Sequence, residues 1–192
     1  MSWFIQTLTN MGITKIPTTF VETGAYLGEG IERYIQEPHF INIHSIELSE
    51  KWYNYCKEKF SNNSNVQIHL GNSFIVIKDL IDAREPVLWY LDAHFSGGET
   101  AGADIENGCP LIKELETILD RHNLDDIIVI DDMQLMGKAS MSGIENDKIY
   151  PLTYFDFRHA SIENIFNVFN ERKIQFLGAF CSDFDRLVLT FY

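Results

Sequence analysis

Residues 20–30 read Phe-Val-Glu-Thr-Gly-Ala-Tyr-Leu-Gly-Glu-Gly and lie between a β-type run and a helical pattern. The apolar residues before Glu22 predict a strand over residues 18–22, and the apolar periodicity after the glycines predicts a helix over residues 26–36. A strand, a glycine turn and a helix in this order form the ligand-binding corner of an open α/β sheet. Gly24 has access to backbone angles that are closed to other residues and lets a ligand lie against the main chain. We therefore expect a ligand at this corner.

The spacing of the glycines separates two kinds of nucleotide site. Residues 22–30 follow the pattern E-x-G-x-x-x-G-x-G, whereas a dinucleotide-binding fingerprint reads G-x-G-x-x-G. The stretch resembles the first motif of class I S-adenosylmethionine-dependent methyltransferases. A glycine turn that binds nothing is the alternative interpretation of the motif alone. The resemblance implies S-adenosylmethionine as cofactor, with this stretch contributing Glu22, Thr23, Gly24, Ala25, Tyr26 and Gly28 to its site.

Strand-like and helix-like segments alternate along the chain. Besides the first strand and helix, the patterns predict a leading helix over 2–11, strands over 40–47, 66–70, 87–91 and 127–130, helices over 50–60, 73–80, 111–121 and 161–170, and a hairpin over 173–180 and 185–192. Repeated β–α units with right-handed crossovers form a mostly parallel sheet covered by helices on both faces. We therefore expect one α/β domain, a Rossmann-like three-layer sandwich whose seven-stranded sheet ends in an antiparallel hairpin. The resemblance implies the strand order 3-2-1-4-5-7-6.

One long connection, residues 133–158, carries glycines and a proline and is expected to be irregular. A connection of this length inside a compact domain usually carries function. We expect it to form a substrate loop or lid within the single domain of residues 1–192.

The composition argues against several classes of protein. Hydrophobic residues make up 45% of the 192 residues, and 15 basic against 28 acidic residues give a net charge of −13. Such a charge repels phosphate backbones, so we expect no nucleic-acid partner. No apolar run approaches the roughly 18 residues of a membrane span, so no membrane partner is expected either. Three widely spaced cysteines and the lack of a basic leader indicate reduced thiols in a cytoplasmic protein. The oligomeric state stays open, with a homo-oligomer as one alternative.

Acidic side chains end four of the five predicted parallel strands: Glu22, Glu47, Asp92 and Asp131. Ligands of open α/β sheets lie beyond the carboxyl ends of the strands. Half-buried carboxylates that repel each other are costly there, so a ligand or a cation is expected among them. The resemblance makes Glu47 the acceptor for the ribose hydroxyls of the cofactor, with Leu48 next to it in the cofactor site.

The third predicted strand ends differently, at Gly71-Asn72-Ser73. This turn resembles the one that contacts adenine in the same methyltransferases, although relatives often have Asp where this chain has Asn72. An amide can still hydrogen-bond to the edge of adenine. Capping of the following helix by Asn72 or Ser73 accounts for the same residues equally well.

Asp92 and the pair Asp131-Asp132 follow the fourth and fifth predicted strands. Neighbouring strands lie about 4.8 Å apart, so the three carboxylates should converge within reach of one hard divalent cation. The pattern resembles metal-dependent O-methyltransferases of the catechol and macrolide-sugar types, which implies Mg²⁺ held by Asp92, Asp131 and Asp132. Turn capping and direct hydrogen bonds to a substrate are the alternatives.

His94 lies two residues beyond Asp92 and is the candidate general base, because the pKa of an unperturbed imidazole lies near neutrality. It is alternatively a further metal ligand or a loop residue without a role. Together with Asp92 it forms the expected catalytic pair.

The expected activity is transfer of a methyl group from S-adenosylmethionine to a hydroxyl of a small molecule, with a sugar, a nucleotide-linked sugar or a small glycoside as acceptor. The sugar follows from the resemblance and from the long loop. Three alternatives stay open: a metal-independent methyltransferase with His94 as base, a nicotinamide-dependent oxidoreductase, and a non-catalytic module with the same fold.

Overall fold

The structure is a computed structural model that describes residues 3–97, 99–145, 148–181 and 185–192. Its helices are α1 (Trp3–Asn10), α2 (Glu29–Ile35), α3 (Glu50–Lys59), α4 (Ser73–Leu80), α5 (Leu111–Leu119) and α6 (Ile162–Glu171). Its strands are β1 (Thr19–Thr23), β2 (Asn42–Glu47), β3 (Val66–Leu70), β4 (Val87–Leu91), β5 (Ile127–Ile130), β6 (Ala139–Glu145), β7 (Lys148–Asp156), β8 (Phe176–Cys181) and β9 (Arg186–Phe191). Each strand predicted from the sequence overlaps an observed one.

Seven strands form one sheet in the order β3-β2-β1-β4-β5-β9-β8. The pairs among β1 to β5 are parallel, whereas β9 is antiparallel to both β5 and β8. Since β8 and β9 are the sixth and seventh strands of this sheet, the predicted order and the predicted C-terminal hairpin are both confirmed. The order reverses between β1 and β4, which is the point where open α/β sheets bind ligands.

Strand β4 shows why the centre of the sheet is apolar throughout. All five of its residues are buried. Val87, Trp89 and Leu91 pack into a core cluster with residues of α4, α5 and α6, whereas Leu88 and Tyr90 pack into a second cluster with residues of α1, α2 and α3. Alternate side chains of a strand point to opposite faces, and a sheet with helices on both faces therefore needs a continuous apolar strand.

Helix α2 is shorter than predicted. It begins at Glu29 rather than at residue 26, because Tyr26 and Gly28 have left-handed backbone angles with φ of 43° and 76°. A Cβ on Gly28 would lie 2.5 Å from the Phe60 ring, so this glycine also allows the turn to pack closely against the end of α3. The residues between the strand and the helix form a loop instead of the first helical turn.

The expectation of an irregular connection over residues 133–158 was wrong. Strands β6 and β7 pair there as a separate antiparallel sheet, with Ser142 opposite Thr153 and Ile144 opposite Ile149. Gly143 and the segment 150–152, which contains Pro151, fall where the register shifts between these two pairs. Glycine and proline often occur at such a bulge. The residues that suggested a loop therefore mark an irregularity within a hairpin.

The helices of the described residues are all too short or too polar to cross a membrane. Cys56 and Cys109 are buried thiols that form no disulfide.

The histidines of β2 and β3 give this fold a dependence on pH. Nδ1 of His44 lies 3.0 Å from Nε2 of His69. Burial, with a smaller contribution from the nearby His69, lowers the pKa of His44 from 6.5 to about 4, and burial lowers the pKa of His69 as well. Below pH 6.5 the unfolded chain therefore binds a proton at His44 that the folded chain does not, and acid destabilises the fold.

We expect this site to remove about 2 kcal/mol from the free energy of unfolding between pH 7 and pH 4. Urea unfolding of the parent and of His44→Gln across that range measures the difference, because other titrating groups affect both proteins alike. An NMR titration in which His44 takes up its proton at or above pH 6.5 would contradict the prediction.

Candidate active site

A cleft of about 490 Å³ lies over the carboxyl ends of β1 to β4, at the edge where the sequence predicts a ligand. Most of the site residues proposed from the sequence line this cleft: Gly24, Tyr26, Glu47, Leu48, Asn72, Ser73, Asp92, His94 and Asp132. The others, Glu22, Thr23, Ala25, Gly28 and Asp131, do not line it.

Glu47 is held in place by the main chain of two loops. Its carboxylate oxygens accept hydrogen bonds from the backbone N–H of Tyr26, at 2.8 Å, and of Ser49, at 2.7 Å. Hydrogen bonds to a charged acceptor are stronger than neutral ones, so they orient the carboxylate before any ligand arrives. Each oxygen has a second lone pair, which leaves Glu47 able to accept from the hydroxyls of a ligand in the cleft.

Asn72 lines the same cleft and has a side-chain acceptor without a hydrogen-bond partner in the described part of the chain. Its Oδ1 atom is buried, and no donor among the described residues reaches it. The residue precedes α4 with an extended backbone, but its side chain makes no capping hydrogen bond, so the capping alternative does not describe Asn72 here. Leaving a buried acceptor unpaired costs about 1–3 kcal/mol. A donor N–H that reaches this oxygen when a ligand binds would remove that cost.

Gly24 follows β1 and lies close to the main chain that follows β4. Its φ is +86°, and a Cβ built on it would lie 2.6 Å from the carbonyl oxygen of Asp92. Its N–H donates to the carbonyl of Ile46 at 2.9 Å. A side chain at this position would meet fixed main-chain atoms, so only glycine brings the ends of these strands together beneath the cleft.

The loop that follows β4 covers part of the cleft and is attached to α3. The indole N–H of Trp52 donates to the carbonyl of Glu99 at 3.0 Å, and Lys51 Nζ lies 2.5 Å from the carboxylate of Glu99. The rings of Trp52 and Tyr26 meet edge to face at 4.7 Å. Trp52 lines the cleft, and our sequence analysis did not single it out because its spacing in α3 is that of a core residue.

Asp92, His94 and Asp132 form a compact cluster at the end of the cleft. Nδ1 of His94 lies 3.4 Å from Asp92 Oδ1, and Nε2 lies 3.2 Å from Asp132 Oδ2. One ligand atom from each of the three residues lies within 4.8 Å of the others, the spacing of a metal site. Two carboxylates and an imidazole are ligands that divalent cations accept.

The electrostatics of this cluster favour a cation. Burial, with the charges of Asp131, Asp132 and Glu22 adding to it, raises the pKa of Asp92 to about 9. Burial also raises the pKa of Asp132, and it lowers the pKa of His94. Burial thus favours the neutral form of all three groups. A positive charge placed among them would favour the charged carboxylates.

Asp131 turns away from this cluster towards β9. Its carboxylate lies 3.0 Å from Arg186 Nε and also accepts hydrogen bonds from the Tyr90 hydroxyl and from Arg186 Nη2, the latter at 3.2 Å. Its side chain can still form a second acidic group, with Asp132 and Asp185. Coordination of a cation by Asp131 would require it to share its carboxylate with the guanidinium or to release it. The sequence gives no sign of this pair, because Arg186 lies 55 residues away.

The remaining residues of the first motif do not line the cleft but lie beside it. Glu22 is buried and accepts a hydrogen bond from Ser45 Oγ at 2.7 Å, and burial raises its pKa to about 7. The Oγ1 atom of Thr23 accepts from the backbone N–H of Asp92 at 3.2 Å. Glu22 and Ala25 line a separate, smaller cavity beside the cleft, and Gly28 contacts Phe60.

Glu114 is a buried acid that the sequence analysis missed. It lies on the apolar face of α5, and the hydroxyls of Ser73 and Thr23 hydrogen-bond to its carboxylate. Burial raises its pKa to about 7, and its Oε1 atom has no partner among the residues the structure describes. It ties the turn after β3 to the end of β1. One signal in the sequence could have identified Glu114: it lies three residues after Leu111 and one before Leu115, within the apolar face of the helix.

Many solved structures share this fold. A putative caffeoyl-CoA O-methyltransferase from Staphylococcus aureus matches 98% of this chain and 80% of its own length, with a TM-score of 0.58 and 16% identity. A SAM-dependent methyltransferase from Aquifex aeolicus matches over 97% and 87%, with a TM-score of 0.54 and 14% identity. The O-methyltransferase TomG from Streptomyces achromogenes, crystallised with SAM, matches over 91% and 72%, with a TM-score of 0.53 and 13% identity.

No family model and no curated protein matches the chain in sequence. At such low identities the structural likeness establishes the fold: the chain has the seven-stranded architecture of these S-adenosylmethionine-dependent methyltransferases.

Proposed function

We propose that this protein is an S-adenosylmethionine-dependent O-methyltransferase that acts on a hydroxyl of a small molecule and is assisted by a divalent cation. The proposal is carried by one observation, the grouping of Glu47, Asn72 and Asp92 around a single cleft. The fixed carboxylate of Glu47 can accept hydrogen bonds from the two ribose hydroxyls, and the amide oxygen of Asn72 can accept one from the adenine amino group. The buried carboxylate of Asp92, which has no cationic partner among the described residues, would be stabilised by the positive sulfonium. The spacing E-x-G-x-x-x-G-x-G and the paired Asp131 and Asp132 after β5 argue against the oxidoreductase alternative.

The reaction is a displacement in which an acceptor oxygen bonds to the methyl carbon while the carbon–sulfur bond breaks and its electron pair stays on sulfur. It needs close, in-line approach and a deprotonated oxygen. Burial lowers the pKa of His94 and so favours the neutral imidazole, the form that can accept the hydroxyl proton. The Asp92 carboxylate would stabilise the positive charge of the sulfonium.

For the cation we propose Asp92, His94 and Asp132 as the holding residues, and we retain Asp131 as a candidate ligand. When bound, a divalent cation would lower the pKa of the acceptor hydroxyl and fix its direction. If His94 is occupied in this way it cannot also serve as the base, so the two roles of His94 are alternatives that experiment must separate.

The acceptor class follows from the resemblance noted in the sequence. A sugar, free or linked to a nucleotide, is the first candidate, and a phenol is the second because one structural neighbour is named a putative caffeoyl-CoA O-methyltransferase. The hairpin β6–β7 is the proposed acceptor lid.

Binding of S-adenosylhomocysteine is the direct test. At 100 times its dissociation constant the ligand should add about 2.7 kcal/mol to the free energy of unfolding and raise Tm by about 5–10 °C. NAD⁺ at the same concentration should leave Tm unchanged. A shift with NAD⁺ and none with S-adenosylhomocysteine would overturn the proposal in favour of the oxidoreductase.

Glu47→Gln should weaken S-adenosylhomocysteine binding by about 1–3 kcal/mol, because it removes the charge that accepts from the ribose hydroxyls. Calorimetry measures the dissociation constant. Glu50→Gln is the matched control, since Glu50 is exposed three residues further along and does not line the cleft. Equal affinities for the parent and Glu47→Gln would remove Glu47 from the site.

A further inference from the structure

A second cavity, of about 210 Å³, adjoins the cleft on the side of α2. Three residues, Gly24, Tyr26 and Asp92, line both spaces. A ligand that fills the cleft can therefore extend past Gly24 and Asp92 into the cavity. The cavity is built from the ends of β1, β4 and β5, the start of β9 and the first turns of α2.

Most charges in this cavity already have partners. Glu22 accepts from Ser45, and Asp131 is paired with Arg186, which also donates to the Tyr90 hydroxyl at 3.0 Å. The buried walls of the cavity thus carry carboxyl and phenol groups, and the guanidinium of Arg186 is bound to two of them.

Arg33 differs from Arg186 in this respect. It lines the cavity from α2, it is exposed, and it forms no ion pair or hydrogen bond with any described residue. Its charge still reaches Glu22 within the cavity, whose pKa it lowers. Glu29 lies four residues earlier on the same helix and also lines the cavity, but the two are not within ion-pair distance. Arg33 therefore presents a positive charge at a cavity whose depth is acidic.

We infer that Arg33 binds the carboxylate of the amino-acid end of S-adenosylmethionine, with the α-ammonium group directed towards Glu22 and Asp92. The inference rests on the proposed function and assigns a residue that neither the motif nor the cleft identifies. The arrangement of charges matches a zwitterion, since an anion fits at the mouth beside Arg33 and a cation fits within, beside the buried acids.

The cavity would then decide which adenosine compounds the protein prefers. S-adenosylhomocysteine carries the amino acid, whereas 5′-methylthioadenosine has the same adenosine and thioether without it. Arg33 should contribute to the affinity for the first compound and not for the second.

Calorimetry with these two compounds tests the assignment on the parent, Arg33→Ala, Arg33→Lys and the control Arg84→Ala. Arg84 is exposed and pairs only with Asp82 among the described residues, far from the cavity in sequence and outside its lining. Arg33→Ala should weaken S-adenosylhomocysteine binding about 10- to 100-fold, the usual loss for a hydrogen-bonded charge pair. Its affinity for 5′-methylthioadenosine should stay within about twofold of the parent. Arg33→Lys, which keeps the charge, should fall between the parent and Arg33→Ala.

The outcomes separate the inference from the proposed function. If the parent and Arg33→Ala bind S-adenosylhomocysteine equally well, the assignment of Arg33 is wrong and the proposed function stands. Equal losses for both compounds would also overturn it, because Arg33 would then support the cleft as a whole. If the parent binds neither compound, the proposed function fails and the inference fails with it.

Discussion

Replacing Gly24 by alanine is expected to abolish detectable binding of S-adenosylhomocysteine and to lower the free energy of unfolding by about 3 kcal/mol. Two effects add. A non-glycine residue in a left-handed conformation costs about 1–2 kcal/mol, and the new methyl group would lie 2.6 Å from the carbonyl oxygen of Asp92. Since that oxygen belongs to the main chain at the end of β4, relief of the clash must move the strands that form the floor of the cleft.

Gly12 provides a control that separates the two effects. Its φ is +82°, close to the +86° of Gly24, but a Cβ there would have nothing within 4 Å. Gly12→Ala should therefore show only the conformational cost, about 1 kcal/mol, and normal binding. Urea unfolding and calorimetry on both variants decide the matter. If Gly24→Ala were no worse than Gly12→Ala, the close approach of β1 to Asp92 would not matter for binding.

Asp132→Asn is expected to weaken Mn²⁺ binding by more than about 100-fold, since even changes in groups that only orient a metal ligand cost about 10- to 100-fold. Asp132 belongs to both acidic groups that could hold an ion. Its φ of +51° is left-handed, a conformation that Asn tolerates well, so the substitution removes the charge without adding backbone strain. Mn²⁺ serves as the probe because its binding can be measured by electron paramagnetic resonance without any acceptor.

Asp131→Asn is the informative partner of this variant. Because its carboxylate is paired with Arg186, we expect a smaller loss of Mn²⁺ affinity and a larger loss of stability, about 3 kcal/mol for a broken buried pair. Unfolding measurements on both variants check the second part. Equal losses of Mn²⁺ affinity would mean that Asp131 is a ligand and that Arg186 gives way to the ion.

Chelation extends the test to activity. Removal of divalent cations should stop transfer of a labelled methyl group to a panel of sugars, nucleotide sugars and catechols, while S-adenosylhomocysteine binding stays within about threefold, since the ion acts on the acceptor. If transfer survives chelation and Asp132→Asn, but not His94→Gln, the metal proposal is wrong and His94 alone takes the proton.

Local patterns predicted the strands, the helices and the α/β class, and the family resemblance supplied the strand order. Apolar runs such as Val87–Leu91 are typical of central strands in a sheet covered on both faces, and the glycine turn after Glu22 marks the start of the crossover. The positions of Glu47, Asn72 and Asp92 at the ends of their strands followed from the same patterns, because the carboxyl ends of parallel strands meet at one edge. These features depend on residues near each other in sequence, so they can be read from the sequence itself.

The sequence misled where a local signal had two structural meanings. Gly143 and Pro151 predict a loop, and they lie instead at an irregularity of the hairpin β6–β7. Tyr26 and Gly28 fit a helical pattern, but their left-handed angles delay α2 until Glu29. In both cases pairing or packing with distant residues decides between alternatives that the local sequence permits equally.

What the sequence predicted by itself is therefore the α/β fold and the edge of the sheet where the cleft lies; the tertiary structure alone decided how the acids at that edge are divided. The sequence treats Asp131 and Asp132 as one pair. The antiparallel return of β9 brings Arg186 beside Asp131, while His94 on the loop after β4 meets Asp132 and Asp92. Adjacent residues leave the backbone in different directions, so the charge that each one meets depends on which distant segment packs there, and no local pattern contains that information.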